Sequence, residues 1–256
     1  SRPLSWRFEG HSVAAVLADT ETGACLAYEN PGVSLDQVRK VWQVPEGSML
    51  RYFRAVTPSL AVAETVREEP AGGGFRSVHE LWAVDLETGK ADPVPSGGID
   101  VIDDWYPSPE GSRLAVLGFS RGEPRGAVVA LGTGEEVYDL GSCDTLWARW
   151  AEDSGLLVYR SFQGVLKAWR AADGSTGPVP LSGFTGGSTV QAAPLPGGRW
   201  LAWDGTRVAI VYQAGGLDLL AGPHDPGSVW VAANGGLICF RDNEAGGVRL
   251  IMIDPR

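Results

Sequence analysis

The chain has 256 residues, of which 44% are hydrophobic and 20% are charged, a composition typical of a globular protein and not of a disordered one. Its 21 basic and 31 acidic residues give a net charge of −10. This acidity argues against nucleic acids and anionic membranes as partners, because phosphate groups are bound by clustered Lys and Arg. No apolar run approaches the roughly 18 residues of a spanning helix, so we expect no membrane insertion by this segment.

The first predicted element is a strand over Leu4–Phe8, where apolar and polar residues alternate. A first repeated unit begins near His11. Within it, Val33–Lys40 is the best helical candidate of the chain, although it is only one short segment between strands.

A repeat with a Pro-rich turn dominates the rest of the sequence. The segments Tyr106–Gly118 and Ala193–Gly205 share prolines, glycines and a Leu-Ala pair at equivalent positions without gaps. Weaker copies carry the same leucine. The six leucines are Leu26, Leu60, Leu114, Leu156, Leu201 and Leu237. Their mean spacing of about 42 residues is typical of the blades of β-propellers.

Each unit has a second half, a short apolar run that ends in a turn. Leu81–Gly89 and Gly126–Gly134 show this most clearly, and Val165–Arg170 and Val208–Tyr212 are similar. Runs of this length, rich in Val, Ile, Leu and aromatic residues and bounded by Gly, Pro, Asp or Asn, indicate short antiparallel strands. We therefore predict about four strands in each unit.

These units predict an all-β fold, a six-bladed β-propeller with four-stranded antiparallel blades in a single domain. A lone sheet of this kind exposes two apolar faces, which radial stacking would bury. The predicted blades are 11–48, 49–97, 98–142, 143–186, 187–224, and 225–256 plus 3–9, so that the N-terminal strand closes the last blade. Five or seven blades remain the alternatives if the weaker copies are misread.

The segment Trp105–Val116 resembles the W-S-P-D-G-x-x-L-A-F repeat of TolB-type propellers, a WD40-like family. Leu81–Gly89 is similar to the L-W-V-x-D-x-x-T-G that ends such repeats. The resemblance implies a six-bladed, non-enzymatic protein that binds other proteins, often in the bacterial cell envelope. A similar repeat forms the propeller of oligopeptidases, but this chain has no room for their hydrolase domain.

Two glycine motifs are interpreted as turns. Gly118–Gly122 matches G-x-S-x-G, but the nucleophile elbow needs a helix after Ser120, and here another apolar run follows. Gly72–Gly74 lies within Arg67–Ser77, which we interpret as a flexible loop between two strands of the second blade, and not as a phosphate cradle.

Two acidic groups are the candidates for a metal site. Asp100, Asp103 and Asp104 are expected in a loop that precedes the inner strand of the third blade, near the mouth of the central channel, and Asp242 and Glu244 in a loop between strands of the last blade. Calcium takes six or more oxygen ligands, which several loops could supply together. The structural alternative is that these residues are solvated turn residues or partners of nearby arginines, and we expect no cofactor apart from this calcium alternative.

The loop-rich face is the expected binding surface, because Arg and aromatic residues are favoured at protein interfaces. The candidates for contact with a protein or peptide partner are Arg121, Arg125, Phe162, Phe184 and Arg241. The main prediction is therefore a non-catalytic scaffold. Two alternatives are a calcium-dependent, lactonase-like hydrolase or small-molecule site at the channel mouth, and a sensor or structural domain of a larger membrane-anchored bacterial protein.

Overall fold

The computed structural model describes most of the chain as β-strand. The described residues are 2–9, 12–18, 24–29, 39–132, 137–151, 153–181, 183–184, 190–204, 206–212, 215–221, 229–231, 237–242 and 247–252. Side chains are described for 41–132, 137–145, 147–151, 153–181, 183–184, 190–195, 197–204, 206–212, 215–220, 229 and 238–239. The predicted helix over 33–40 lies mostly outside these ranges, and its last two residues belong to a strand.

The strands of the first half of the chain form three antiparallel sheets, each with its strands in sequence order. Sheet one contains β1 Arg2–Glu9, β2 Ser12–Ala18, β3 Ala24–Glu29 and β4 Arg39–Gln43. Sheet two contains β5 Met49–Thr57, β6 Leu60–Ala71, β7 Gly74–Asp85 and β8 Ala91–Val94. Sheet three contains β9 Val101–Pro107, β10 Arg113–Ser120, β11 Glu123–Ala130 and β12 Val137–Gly141.

The second half of the chain repeats the arrangement. Sheet four contains β13 Cys143–Trp150, β14 Leu156–Ser161, β15 Leu166–Arg170 and β16 Thr176–Pro178. Sheet five contains β17 Gln191–Leu195, β18 Arg199–Trp203, β19 Val208–Val211 and β20 Leu217–Ala221, with a 3₁₀ turn at Pro196–Gly198. Sheet six has three described strands, β21 Trp230–Val231, β22 Leu237–Asp242 and β23 Gly247–Met252.

The prediction that the N-terminal strand completes the last sheet is wrong. β1 pairs with β2 over its whole length, from Arg2↔Ala18 to Glu9↔Ser12, and so belongs to sheet one. Only positions 10 and 11 separate the two strands. A connection this short joins neighbouring antiparallel strands at little entropic cost, which favours local pairing over closure with a distant sheet.

The chain divides into two compact units, Ser1–Asp139 and Leu140–Arg256. In the first unit, one apolar cluster packs Trp42 of sheet one on Phe53 and Val84 of sheet two, and a second joins sheets two and three around Leu81 and Trp105. In the second unit, the corresponding clusters join sheet four to five and sheet five to six. The core of each unit therefore lies between the faces of consecutive sheets.

The segment Arg67–Ser77, expected to be a flexible loop, is a hairpin. β6 and β7 pair without interruption from Leu60↔Asp85 to Ala71↔Gly74. Gly72 and Gly73 have φ values of 54° and 91°. Positive φ at both positions of a two-residue turn is the type I′ geometry that matches the twist of the two strands, and glycine adopts it without strain.

The hairpin over Ser120–Glu123 confirms the interpretation of the G-x-S-x-G match. Ser120 pairs with Glu123, and the turn between them is Arg121-Gly122, with φ values of 52° and 82°. The strand after the turn is β11, so Ser120 precedes a strand and not the helix that a nucleophile elbow requires.

Candidate functional site

One end of sheets two and three gathers the strand starts and the long hairpins, and we call it the hairpin end. β5 and β9 begin there, opposite the segments that lead to the turns at 72–73 and 121–122. Arg51 near the start of β5 donates hydrogen bonds to the carbonyl oxygens of Ile102 and Asp103 on β9, the second at 3.4 Å. The two sheets are therefore joined at this end of the first unit.

Exposed apolar side chains are concentrated at the hairpin end. Met49 is 67% exposed, Phe75 is 73% exposed and Val101 is 42% exposed. Eight large hydrophobic side chains are exposed among the described residues. Three of them are these residues, and two more, Phe162 and Val165, flank the equivalent hairpin of sheet four. Exposed apolar patches mark binding surfaces more often than singly scattered residues do.

A buried carboxylate lies below this surface. Glu64 on β6 is fully buried. Its Oε1 accepts a hydrogen bond from Arg51 at 2.7 Å and lies 2.9 Å from Nδ1 of His79. Its Oε2 accepts a hydrogen bond from Nε1 of Trp105 at 3.0 Å. A buried charge needs such partners, and here they come from three other strands, so Glu64 joins sheet three to sheet two.

Arg51 supplies the positive charge that pairs with Glu64 in this network. Its guanidinium is one third exposed and is desolvated by partial burial, which works against its charge. The hydrogen bond and the negative charge of Glu64 outweigh that effect and raise the pKa of Arg51 above its ordinary value. Arg51 is therefore held in its cationic form beside the carboxyl group of Glu64.

A second arginine, Arg54 of β5, binds the next two residues of β9. Arg54 donates to the carbonyl oxygen of Trp105 at 3.0 Å and to Oδ1 of Asp104 at 3.2 Å. Its guanidinium also lies 4.6 Å from the centre of the Trp105 ring and 5.0 Å from that of Tyr52. The contact between Arg54 and the Trp105 ring therefore helps to hold β5 of sheet two to β9 of sheet three.

The outer part of the β6–β7 hairpin extends past its neighbours and forms a two-stranded arm, residues 67–78. β5 pairs with β6 no further than Val66, and β8 pairs with β7 no further than Leu81. Ion pairs cover one face of the arm. Arg67 lies 3.0 Å from Glu69 and 3.2 Å from Glu80, and Arg76 lies 2.9 Å from Glu69. These pairs and the Gly-Gly turn hold an element that would be marginal alone.

The ion pairs of the arm should be detectable as a shift in the pKa of Glu69. The hydrogen bond from Arg76 lowers the pKa of Glu69 below its ordinary value. A carboxyl whose folded pKa is depressed stabilises the fold above its unfolded pKa, and this contribution is lost as the pH falls through the folded value. In an Arg76→Ala variant we expect the pKa of Glu69 to rise toward its ordinary value, as measured by NMR. Arg113→Ala, which alters a different pair on sheet three, should leave it unchanged.

The structure does not bring the three predicted aspartates together. Asp100 Oδ2 accepts a hydrogen bond from the backbone N–H of Arg121 at 2.7 Å, and Asp104 is held by Arg54. Asp103 lies between them at a bulge of β9, where Leu117 pairs with Asp104 and Gly118 with Ile102. Within the described residues, no group of three or more His, Cys, Asp or Glu side chains could hold a metal ion. The predicted cluster of Asp100, Asp103 and Asp104 is corrected accordingly, because the side chains of Asp100 and Asp104 serve separate contacts.

Two of the candidate partner-binding residues lie on sheet three. Arg121 occupies the turn at the hairpin end, with its side chain exposed and its backbone held by Asp100. Arg125 lies on β11, 2.8 Å from Asp139 in an exposed ion pair. Asp139 neutralises Arg125, so Arg121 is the better placed of the two for contact with a partner.

The two candidate phenylalanines differ in accessibility. Phe162 lies in the turn between β14 and β15 and is 69% exposed. Phe184 is only 7% exposed, because it packs in the core between sheets four and five with Arg207 4.3 Å above its ring. Phe184 therefore supports the core and cannot serve as the surface anchor that its loop position suggested.

The last candidates belong to sheet six. Arg241 and Asp242 are the final two residues of β22, so they lie in a strand and not in a loop. Their side chains lie outside the described part of the structure, as does the whole of Glu244. A partner contact by Arg241 and a metal contact by Asp242 and Glu244 stay predictions.

Sequence reasoning missed the residues around Glu64, although the repeat contained a signal. Glu64 stands four positions after the repeat leucine Leu60, and Arg160 stands four positions after Leu156. Arg160 is also buried, and it donates to the carbonyl oxygen of Val190 at 2.6 Å, just before sheet five. This repeat position meets the following sheet in both cases, so a charged residue there predicts a contact between sheets. Arg241 occupies the same position after Leu237.

No family model matches the chain, and no curated protein matches it. Similar solved structures include TolB from Acinetobacter baumannii, with 18% identity, a TM-score of 0.50, and coverage of 95% of this chain and 61% of that one. The β-propeller domain of the Trilobed protease from Pyrococcus furiosus, which has an open velcro topology, is 13% identical with a TM-score of 0.52. The match covers 82% of this chain and 70% of that one. Oligogalacturonate lyase from Vibrio parahaemolyticus is 12% identical with a TM-score of 0.58. The match covers 93% of this chain and 73% of that one.

The fold is that of a TolB-like β-propeller. At these identities the likeness shows the fold alone, and the propellers it joins include both enzymes and TolB. The chain covers less than two thirds of the TolB chain. In the described part of this TolB-like fold, no helix has the length and apolar character needed to cross a bilayer.

Proposed function

We propose that this chain is a non-catalytic propeller module that binds another protein or a peptide at its hairpin end. In this proposal the six sheets are six blades. Each blade is built from one contiguous segment, in keeping with the pairing of β1 with β2. The Pyrococcus propeller domain has an open velcro topology, which is consistent with this arrangement of the strands.

The observation that carries the proposal is that the exposed residues Met49, Phe75 and Val101 lie at the same end of sheets two and three as the exposed Arg121. An aromatic side chain near an arginine is the composition favoured at binding hot spots. The opposite end of sheet three offers only Val137 among the described exposed hydrophobic residues of the first unit. The asymmetry favours binding at the hairpin end.

The buried network below this surface suits a preformed binding site. Glu64, Arg51 and Trp105 fix β5, β6 and β9 relative to one another, so a partner need not order them on binding. A rigid surface loses little conformational entropy on association, which improves affinity without additional contact area.

The residues of the first unit favour binding over chemistry. Ser120 lies in a hairpin, Asp104 of β9 is held by Arg54, and Asp100, just before β9, accepts a hydrogen bond from the turn at Arg121. His79 directs Nδ1 at a carboxylate that two other donors already satisfy. No described nucleophile, base and third orienting group meet as an acyl-transfer site requires.

The proposal is tested by removing the exposed apolar group. A triple variant, Met49→Ser, Phe75→Ser and Val101→Ser, should lose at least about tenfold in affinity for a partner isolated on the native protein, because contacts at the centre of an interface dominate binding. Val137→Ser alters a comparably exposed residue at the other end and should bind normally. Affinity is measured by calorimetry, with circular dichroism to confirm folding. Equal binding by the triple variant and the native protein would refute the proposal.

A further inference from the structure

The two edges of the arm are protected unequally. Ala71 and Gly74 flank the two-residue turn and form a hydrogen-bonded pair, so the pairs alternate from there along the ladder. By this alternation, the main-chain groups of Pro70 and Glu68 point outward from β6, and those of Phe75, Ser77 and His79 point outward from β7. Pro70 has no N–H, and proline on an edge is a standard block to added strands.

The β7 edge has no such block. From Gly74 to Glu80 it contains no proline and no register shift, and β8 begins to pair only at Leu81. Within the described residues, the main-chain groups of Phe75, Ser77 and His79 pair with no segment besides β6. A straight, unprotected edge beside a blocked one points to an added strand on the β7 side.

We propose that the β7 edge pairs antiparallel with the β7 edge of a second copy of this chain, about a two-fold axis at Ser77. The two arms then form one four-stranded sheet, in the order β6, β7, β7 of the partner, β6 of the partner. Ser77 faces Ser77 of the partner subunit, and Phe75 faces the partner's His79. Each of these three symmetric pairs joins outward-pointing groups, so their main-chain hydrogen bonds are satisfied together.

Two neighbouring registers are unfavourable. An axis at Arg76 would place two arginines directly opposite each other, and like charges in that position are destabilising. An axis at Val78 would place residue 75 of the second copy against Leu81, where Val94 of β8 already pairs. The Ser77 register avoids both conflicts and fits the two-fold symmetry typical of homodimers.

Charge supports the same register on the other face of the arm. Arg76 is 67% exposed and Glu80 lies four residues away on the same face. About the Ser77 axis, each Arg76 is diagonal to the partner's Glu80, which gives two attractive contacts against one diagonal between the two arginines. Phe75, which is exposed in the single chain, gains an aromatic neighbour in the dimer.

Sedimentation analysis over a range of concentrations tests this inference without any other partner. The native chain should show a reversible monomer–dimer equilibrium. Ser77→Pro should raise the dimer Kd by about tenfold or more, because it removes the central N–H of both strands without affecting the β6–β7 ladder. Ser77→Ala keeps that N–H and should dimerise as the native chain does. A native chain that is monomeric at every concentration would overturn the proposal.

A cysteine pair gives a second readout if Ser77→Pro fails to fold. Under oxidised glutathione, Ser77→Cys should form a disulfide-linked dimer on a non-reducing gel. Glu68→Cys, its cross-strand partner on the blocked β6 edge, should cross-link no more than the native chain, which contains the same three natural cysteines. Equal cross-linking of the two variants would contradict pairing at the β7 edge. Neither readout alters Met49, Phe75 or Val101 or needs another protein as partner, so the two proposals can fail separately.

Discussion

Replacing Glu64 with alanine should lower the free energy of unfolding by about 3–5 kcal/mol, because removing one member of a buried charged network leaves the others unpaired. Arg51 would lose its only described carboxylate partner within a salt-bridge distance, and Trp105 would lose the acceptor of its indole N–H. The atoms removed also leave a cavity between β5, β7 and β9. Urea unfolding followed by tryptophan fluorescence measures the loss.

Glu80→Ala is the matched control for this prediction. Glu80 lies on β7 of the same hairpin and pairs with Arg67, but its side chain is 30% exposed. Exposed ion pairs contribute little, so we expect a change below about 1 kcal/mol. A similar small change for Glu64→Ala would mean that Glu64 does not hold the two sheets together.

The repeat predicted the sheets well because the same physical constraint acts in each of them. Leu60, Leu114, Leu156 and Leu201 all lie on the second strand of a sheet. All four are buried or packed against the cores between consecutive sheets, as the spacing of the repeat implied. Apolar periodicity and turn residues are local signals, and they are sufficient to place short antiparallel strands.

The pairing of β1 could not be predicted from the same signals. Leu4–Phe8 alternates correctly for a strand, but alternation does not determine which edge the strand will join. The first sheet also departs from the other copies, because Leu26 lies on its third strand and not on its second. The short connection to β2 favours pairing with β2, whereas the sequence analysis assigned this strand to the last blade.

The candidate site was predicted only in part, because its residues are distant in sequence and chemically dissimilar. The loop-rich end and Arg121 followed from turn positions. The network of Arg51, Glu64 and Trp105 joins residues up to 54 positions apart and has no local motif. Phe184 had the correct residue type for a surface anchor, but its burial depends on packing against sheet five, which no local pattern reports.

The second large effect is expected at Gly118. Its position is equivalent to that of Glu64, four residues after the repeat leucine, but here β9 bulges toward it. A Cβ atom at this position would clash with the carbonyl oxygen of Val101, and would lie 2.8 Å from Cγ2 of Ile99 and 3.0 Å from Cα of Ile102. Backbone atoms cannot move aside as a flexible side chain can, so Gly118→Ala should cost about 3 kcal/mol of unfolding free energy.

The same substitution should also disturb the site. The bulge that Gly118 accommodates turns the carbonyl oxygens of Ile102 and Asp103 toward Arg51. Gly74→Ala is the matched control, since Gly74 is also a strand glycine and its nearest neighbour to a new Cβ is the oxygen of Ala71 at 3.9 Å. Chemical unfolding should show a large loss for Gly118→Ala and almost none for Gly74→Ala. Equal stability of the two variants would mean that β9 does not approach β10 closely at its bulge, and the anchoring of Arg51 would then need another explanation.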